Sequence, residues 1–163
     1  MSSQRIVTNL WFDTEAEAAA EYYCSIFEDA HVLQVVRYPE GTEKAGATMV
    51  VEFELLGQRF VAINGGPQFT FSEAISLQVD CRDQVEIDFF WERLSAGGSE
   101  GPCGWCKDRY GLSWQIVPEG INDFFAGEPE GAARAAQAMF QMRKLDIAAL
   151  EAARDGVRHP VPQ

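Results

Sequence analysis

An α+β fold of two consecutive βαβββ modules, closed by a helical extension, is predicted for this 163-residue chain by three observations. Residues 10–27 superimpose without a gap on residues 77–94, so one pattern of side-chain types occurs twice. In each copy an apolar alternation of period two gives way to a helical spacing. Each copy is then followed by three short strand-like runs bounded by turn residues.

The elements follow in order. In the first copy Leu10 and Phe12 alternate as a strand, and Ala20, Tyr23, Cys24 and Phe27 then recur at helical spacing. Asp13 or Thr14 supplies a side-chain oxygen to cap that helix. Strands are expected over residues 32–38, 48–56 and 59–64, the last two joined by a tight turn at Gly57-Gln58. In the second copy Ile75, Leu77 and Val79 alternate, Ile87, Phe90, Trp91 and Leu94 take the helical places, Asp83 caps, and Gly97-Gly98 stops the helix. Shorter strands are expected over 99–101, 103–108 and 112–117, with a turn at Arg109-Tyr110-Gly111. Beyond Pro118 the pattern is helical over 121–125, 132–144 and 147–154. The expected organisation is a paired domain over 1–118 (modules at about 4–66 and 72–118), a helical extension over 119–157 and a loose tail over 158–163.

Composition narrows the function classes. With 47% hydrophobic residues the chain can bury a sizeable core. A net charge of −12 repels nucleic acid and anionic membrane surfaces, so neither is an expected partner. No stretch approaches the roughly 18 apolar residues that span a bilayer, and the N-terminal residues enter a strand-like run without an apolar leader. A cytoplasmic location is the expectation, with Cys24, Cys81, Cys103 and Cys106 as reduced thiols.

A family resemblance is carried by several segments together. They are Leu10-Trp11-Phe12-Asp13 leading into an acidic, Ala-rich helix, Val51-Glu52-Phe53-Glu54-Leu55, Asn64-Gly65-Gly66-Pro67, Glu73-Ala74-Ile75-Ser76, Cys103-Gly104-Trp105, and Lys107-Asp108 with Tyr110-Gly111-Leu112-Ser113-Trp114-Gln115. The chain resembles the PhnB-like members of the vicinal-oxygen-chelate superfamily, which also holds glyoxalase I and the bleomycin-resistance proteins. The resemblance covers most of the chain. It implies the glyoxalase/bleomycin resistance/dioxygenase fold, a cupped mixed sheet made by two modules, often completed by a dimer, with a small-molecule cavity inside each cup. Proteins of this subgroup often carry a 3-demethylubiquinone methyltransferase label. The sequence has no glycine-rich strand-turn-helix for S-adenosylmethionine, so the label is not taken as chemistry.

Metal-using relatives ligate a divalent ion through four inward His and Glu side chains, two from each module. Carried over, those places fall at Val7, at Asn64 or Ile63, at Ala74 and at Gln115. None offers imidazole or carboxylate, so neither a metal nor any other cofactor is expected.

Strand parity states which side chains face away from the helices. If Leu10, Phe12, Leu77, Val79, Leu112, Trp114 and Ile116 pack on the helices, then Asn9, Trp11, Ser76, Gln78, Ser113 and Gln115 point the other way. The ligand-binding candidates are Asn9, Trp11, Asn64, Glu73, Gln78, Trp105 and Gln115. Amides, hydroxyls and indole walls suit a neutral polar or aromatic molecule. The competing reading is that the amides satisfy one another or water and nothing specific binds.

Other chemistry-bearing residues have plainer readings. Cys103-Gly104-Trp105-Cys106 has C-x-x-C spacing but falls in an expected hairpin with its thiols on opposite faces, not at a helix N-terminus. His31 and His159 lie away from any serine and aspartate that could complete a triad. Glu52 and Glu54 share a strand face and read as a solvated or subunit-facing surface. Ala133, Gln137, Phe140, Met142, Ile147 and Leu150 form a stripe that packs on the chain's own sheet or on a second subunit, and a homodimer is expected. Two functions stay open: a module that binds a small molecule without a metal, or a small-molecule enzyme using a carboxylate such as Glu73 or a metal held elsewhere.

Overall fold

The structure is a computed structural model that describes residues 5–156. The tail expected over 158–163, with His159, lies outside the described residues. The chain divides into two compact units, Met1–Phe71 and Ser72–Gln163.

The first unit runs β1 (Thr8–Phe12), α1 (Ala16–Ile26), β2 (Ala30–Arg37), β3 (Thr48–Leu55) and β4 (Gln58–Asn64). The second repeats that order as β5 (Ser76–Cys81), α2 (Gln84–Ser95), β6 (Ser99–Glu100), β7 (Trp105–Lys107) and β8 (Ser113–Pro118). The sheet orders are β1-β4-β3-β2 and β5-β8-β7-β6, with the first pair of each parallel and the rest antiparallel. The repeat detected in the sequence is therefore a repeat of topology. A short 3-10 helix (Ile121–Phe125), α3 (Pro129–Met139) and α4 (Ile147–Asp155) follow β8 within the second unit.

Alternation builds each sheet. In β3 and β4 Val51, Phe53, Leu55, Phe60 and Ala62 are buried while their neighbours are not. Ala16, Ala19, Ala20, Tyr23 and Ile26 of α1 are buried in turn, and Tyr23 stacks on Phe53 at 6.1 Å between ring centroids. Each such aromatic removes apolar surface worth about 1.5–3 kcal/mol from water. Small alanines let the helix lie close to the sheet.

Several boundaries differ from expectation. The N-cap of α1 is Glu15, and its side chain makes no capping bond. Neither Asp13 nor Thr14 caps; the Ala16 amide instead donates to Asn64 Oδ1 at 2.8 Å, from the end of β4. In the second unit Asp83 does cap α2, accepting from the Glu86 amide at 3.0 Å. The strand expected over 103–108 is shorter because Cys103 and Gly104 form a turn with φ of 57° and 82°; the two cysteines do not share a hairpin strand.

The helix expected over 132–144 begins earlier, at Pro129, and ends at Met139. Its buried side is Gly131 and Ala135, with Ala138 and Met139 partly buried, whereas Ala133, Gln137 and Phe140 are exposed. On α3 the expected stripe is therefore not the side packed on the chain's own core, which leaves a second subunit as its remaining alternative. Leu145, Leu150 and Val117 form the core beneath these helices.

Candidate functional site

The face of the second sheet turned away from α2 carries most of the polar side chains. Pairing register places Ser99, Lys107, Ser113 and Ser76 in one row across β6, β7, β8 and β5. Trp105, Gln115 and Gln78 form the next row. The opposite face holds Val79, Cys81, Cys106, Trp114 and Ile116, all buried. Gln115 Nε2 donates to Ser76 Oγ at 2.8 Å and Gln78 Nε2 to Asp80 Oδ1 at 2.7 Å.

A cavity of about 500 Å³ opens on this face, with Glu73, Ser99, Pro102, Trp105, Lys107 and Ser113 in its walls. Lys107 Nζ lies 2.6 Å from Glu73 Oε1. The hydrogen bond from Lys107 holds the Glu73 carboxyl below the usual carboxylate range. Ser113 is 1% exposed, and its hydroxyl has no hydrogen-bond partner among the described residues. Buried hydroxyls are normally paired, so an orphan in a cavity wall calls for an explanation.

The cavity rim is held from the extension. The Cys103 amide donates to the Met142 carbonyl at 2.8 Å and the Gly104 amide to the Arg143 carbonyl at 2.7 Å. Position 104 requires glycine twice over: its φ is left-handed, and a Cβ would fall 2.7 Å from the Ile116 carbonyl oxygen. Behind the sheet Asp108, 2% exposed, accepts from the Tyr110 and Leu112 amides and from Trp114 Nε1 at 2.8–3.1 Å. The Lys107-Asp108 to Trp114 motif is thereby a turn-locking device that brings Lys107 opposite Ser113.

The remaining candidates divide. Glu73 and Trp105 enter this one cavity, whereas Gln78 and Gln115 stand in the adjoining row outside its walls. In the first unit Asn9 is exposed and bonds back to the Val7 carbonyl at 3.1 Å. Trp11 donates its indole N–H to the Gly66 carbonyl at 2.9 Å and packs edge-on against Phe69. Gly65 is what admits that ring, since a Cβ there would lie 2.1 Å from Trp11 Cζ2. Asn64 pairs with Phe12 in the ladder and lies on the helix side, while Ile63 pairs with Trp11. Its Nδ2 donates to the Thr48 carbonyl at 3.1 Å and its Oδ1 is taken by Ala16, so both ends of the amide already do structural work.

Sequence reasoning missed Lys107 and left Ser113 out of the candidates. Counting outward from the turn at Arg109-Tyr110-Gly111 would have paired them.

The donor set does not fit a divalent ion. Val7 and Ala74 precede their strands, and Gln115 has Gln78 directly opposite and Ser76 bonded to it. On the first sheet the place that shares a face with Trp11 is Ile63. Among the described residues no three His, Cys, Asp or Glu side chains are grouped as ligands. The four cysteines are free thiols, and burial pushes Cys81 and Cys106 up to about 12.

Two βαβββ units with mixed four-stranded sheets define a protein of the glyoxalase/bleomycin resistance fold. The chain belongs to the 3-demethylubiquinone-9 3-methyltransferase family, the PhnB-like group, whose model matches residues 4–117. Among solved structures it is similar to the PhnB protein of Bacillus cereus, with 34% identity, TM-score 0.63, and coverage of 70% of this chain and 99% of that one. A Pseudomonas aeruginosa protein matches at 17% identity and TM-score 0.61, covering 72% and 99%. The fosfomycin resistance protein FosX of Listeria monocytogenes matches at 16% and TM-score 0.52, covering 76% and 97%. These last two speak for the fold alone. No match is found among curated proteins.

Proposed function

We propose that this chain binds a small organic molecule in the cavity on its second sheet, without a resident metal. The observation that carries the reading is the Ser113 hydroxyl, buried and without a partner among the described residues in the wall of a cavity of about 500 Å³, a size suited to small ligands. Trp105 offers a flat apolar wall beside it. Glu73 and Trp105 stay in the proposed site; Gln78 and Gln115 frame it; Asn9, Trp11 and Asn64 serve the fold. The enzyme reading with Glu73 as base is disfavoured, because a carboxyl held low by Lys107 is a poor proton acceptor near neutral pH.

The same reading retains the paired domain over 1–118 with its extension, a homodimer and a cytoplasmic location. Four unpaired cysteines support the last, and no helix among the described residues is long and apolar enough to cross a membrane. Phe140, 63% exposed, is one candidate for a subunit contact.

Thermal-shift screening of a library of small aromatic and polar compounds tests the binding, since a ligand that prefers the native state raises Tm. Stabilisers are expected with the wild type and lost in Trp105→Ala. A library without a stabiliser, or hits undiminished in Trp105→Ala, would end the reading. Mn²⁺, Zn²⁺ and chelator are expected to leave Tm unchanged.

A further inference from the structure

We propose that the cavity on the second sheet takes a small planar organic carboxylate, an inference that rests on the ligand-binding reading above. Three side chains of one row stand side by side in the cavity wall. Lys107 and Ser113 are directly opposite in the β7–β8 ladder, and Ser99 is opposite Lys107 on its other side. Directly opposed side chains sit with Cβ atoms roughly 4.5–5.5 Å apart, close enough to share one group. The row offers an ammonium flanked by two hydroxyls, all able to donate. The carboxylate of a ligand fits it: one charge for Lys107 and an oxygen for the Ser113 hydroxyl, which is unpartnered among the described residues. The flat body of the ligand then lies against Trp105 and Pro102, which line the same cavity.

Glu73 occupies the place the ligand would take. Its carboxylate is on Lys107 at 2.6 Å, yet its side chain is 63% exposed. An exposed ion pair of this kind contributes little and exchanges readily. Ligand binding is then an exchange of one carboxylate for another on the same ammonium, with no covalent step. The net charge of −12 slows the approach of an anion but does not prevent it, because fields beyond about 8 Å are screened at physiological ionic strength.

Benzoate and its neutral counterpart benzamide, titrated against tryptophan fluorescence and calorimetry, separate charge from shape. Wild type is expected to prefer benzoate. Lys107→Met should weaken benzoate at least about tenfold, as loss of a charged hydrogen bond does. Glu73→Gln should strengthen it roughly fivefold by removing the competitor. Benzamide should be indifferent to both. The opposite signs on one probe distinguish recognition from damage to the fold, which circular dichroism checks separately. Equal affinity for the two probes, or Lys107→Met and Glu73→Gln moving benzoate in the same direction, overturns the carboxylate assignment and leaves the ligand-binding reading standing. Absence of saturable binding by both probes overturns the assignment, and if the library screen also yields no stabiliser the reading beneath it falls too.

Discussion

A hydroxyl buried without a partner costs the folded state its lost hydration, on the order of 1–3 kcal/mol. Among the described residues Ser113 is such a group. Ser113→Ala is therefore expected to leave the urea midpoint unchanged or to raise stability by up to about 1 kcal/mol, while weakening benzoate. Denaturation and titration on the same sample check the pair, and a loss of stability would show that the hydroxyl is holding the sheet. Asn64 is the opposite case. It satisfies the Ala16 amide and the Thr48 carbonyl, and its own carbonyl receives the Tyr38 hydroxyl at 3.0 Å. Asn64→Leu removes a cap and leaves buried polar groups unpaired, so a loss of roughly 2–3 kcal/mol is expected in urea unfolding. A change within a few tenths would instead show that these hydrogen bonds contribute little to the fold.

At the level of elements, most of the architecture was legible because period-two and helical patterns alternate in a duplicated order. The misjudged places have specific causes. Cys103 takes a left-handed backbone, which few side chains adopt, so its turn looked like strand. In α3 six of the eleven residues are alanine or glycine, and such a background does not reveal which side packs on the chain's own core; Pro129 at the first helical position was the better marker of where the helix starts. Asn64 looked like a site residue because it falls near a ligand place of metal-using relatives; its bond to Ala16, 48 positions away, leaves no local spacing from which that structural bond could be read. Half of the cavity was legible. Glu73 and Trp105 stood out by type, but Lys107 and Ser113 became meaningful only through ladder register.

For the molecule as a whole, the two units share a topology and differ in the side chains their sheets present. Ile63 opposes Trp11 on the first sheet, where the second has Gln115 opposing Gln78; the same face of the first sheet carries the charged Glu52, Glu54 and Arg59, where that of the second carries amides, hydroxyls and Lys107. Acid stability is also a property of the whole chain. Glu17 is held low by the Thr48 hydroxyl and Arg37, Glu86 by Arg82, Asp88 by Lys144 and Glu128 by the Glu130 and Gly131 amides. Their folded values lie below their unfolded ones, so the unfolded chain binds protons first as pH falls. The contribution is complete above the ordinary glutamate value of 4.5 and is lost as pH drops through the folded values. Scanning calorimetry should show a Tm that is level from neutrality to about pH 5 and declines below it.

The two carbonyls of residues 142 and 143 that receive the Cys103 and Gly104 amides lie beyond the stretch that defines the family, which stops at residue 117. A protein trimmed to that stretch would keep all eight strands but for the last residue of β8 and would lose the splint that fixes one lip of the hollow. Changes in the segment after β8 would therefore reshape that lip without touching the ladder, and on the proposed reading they would alter which molecule fits while the sheets stay the same.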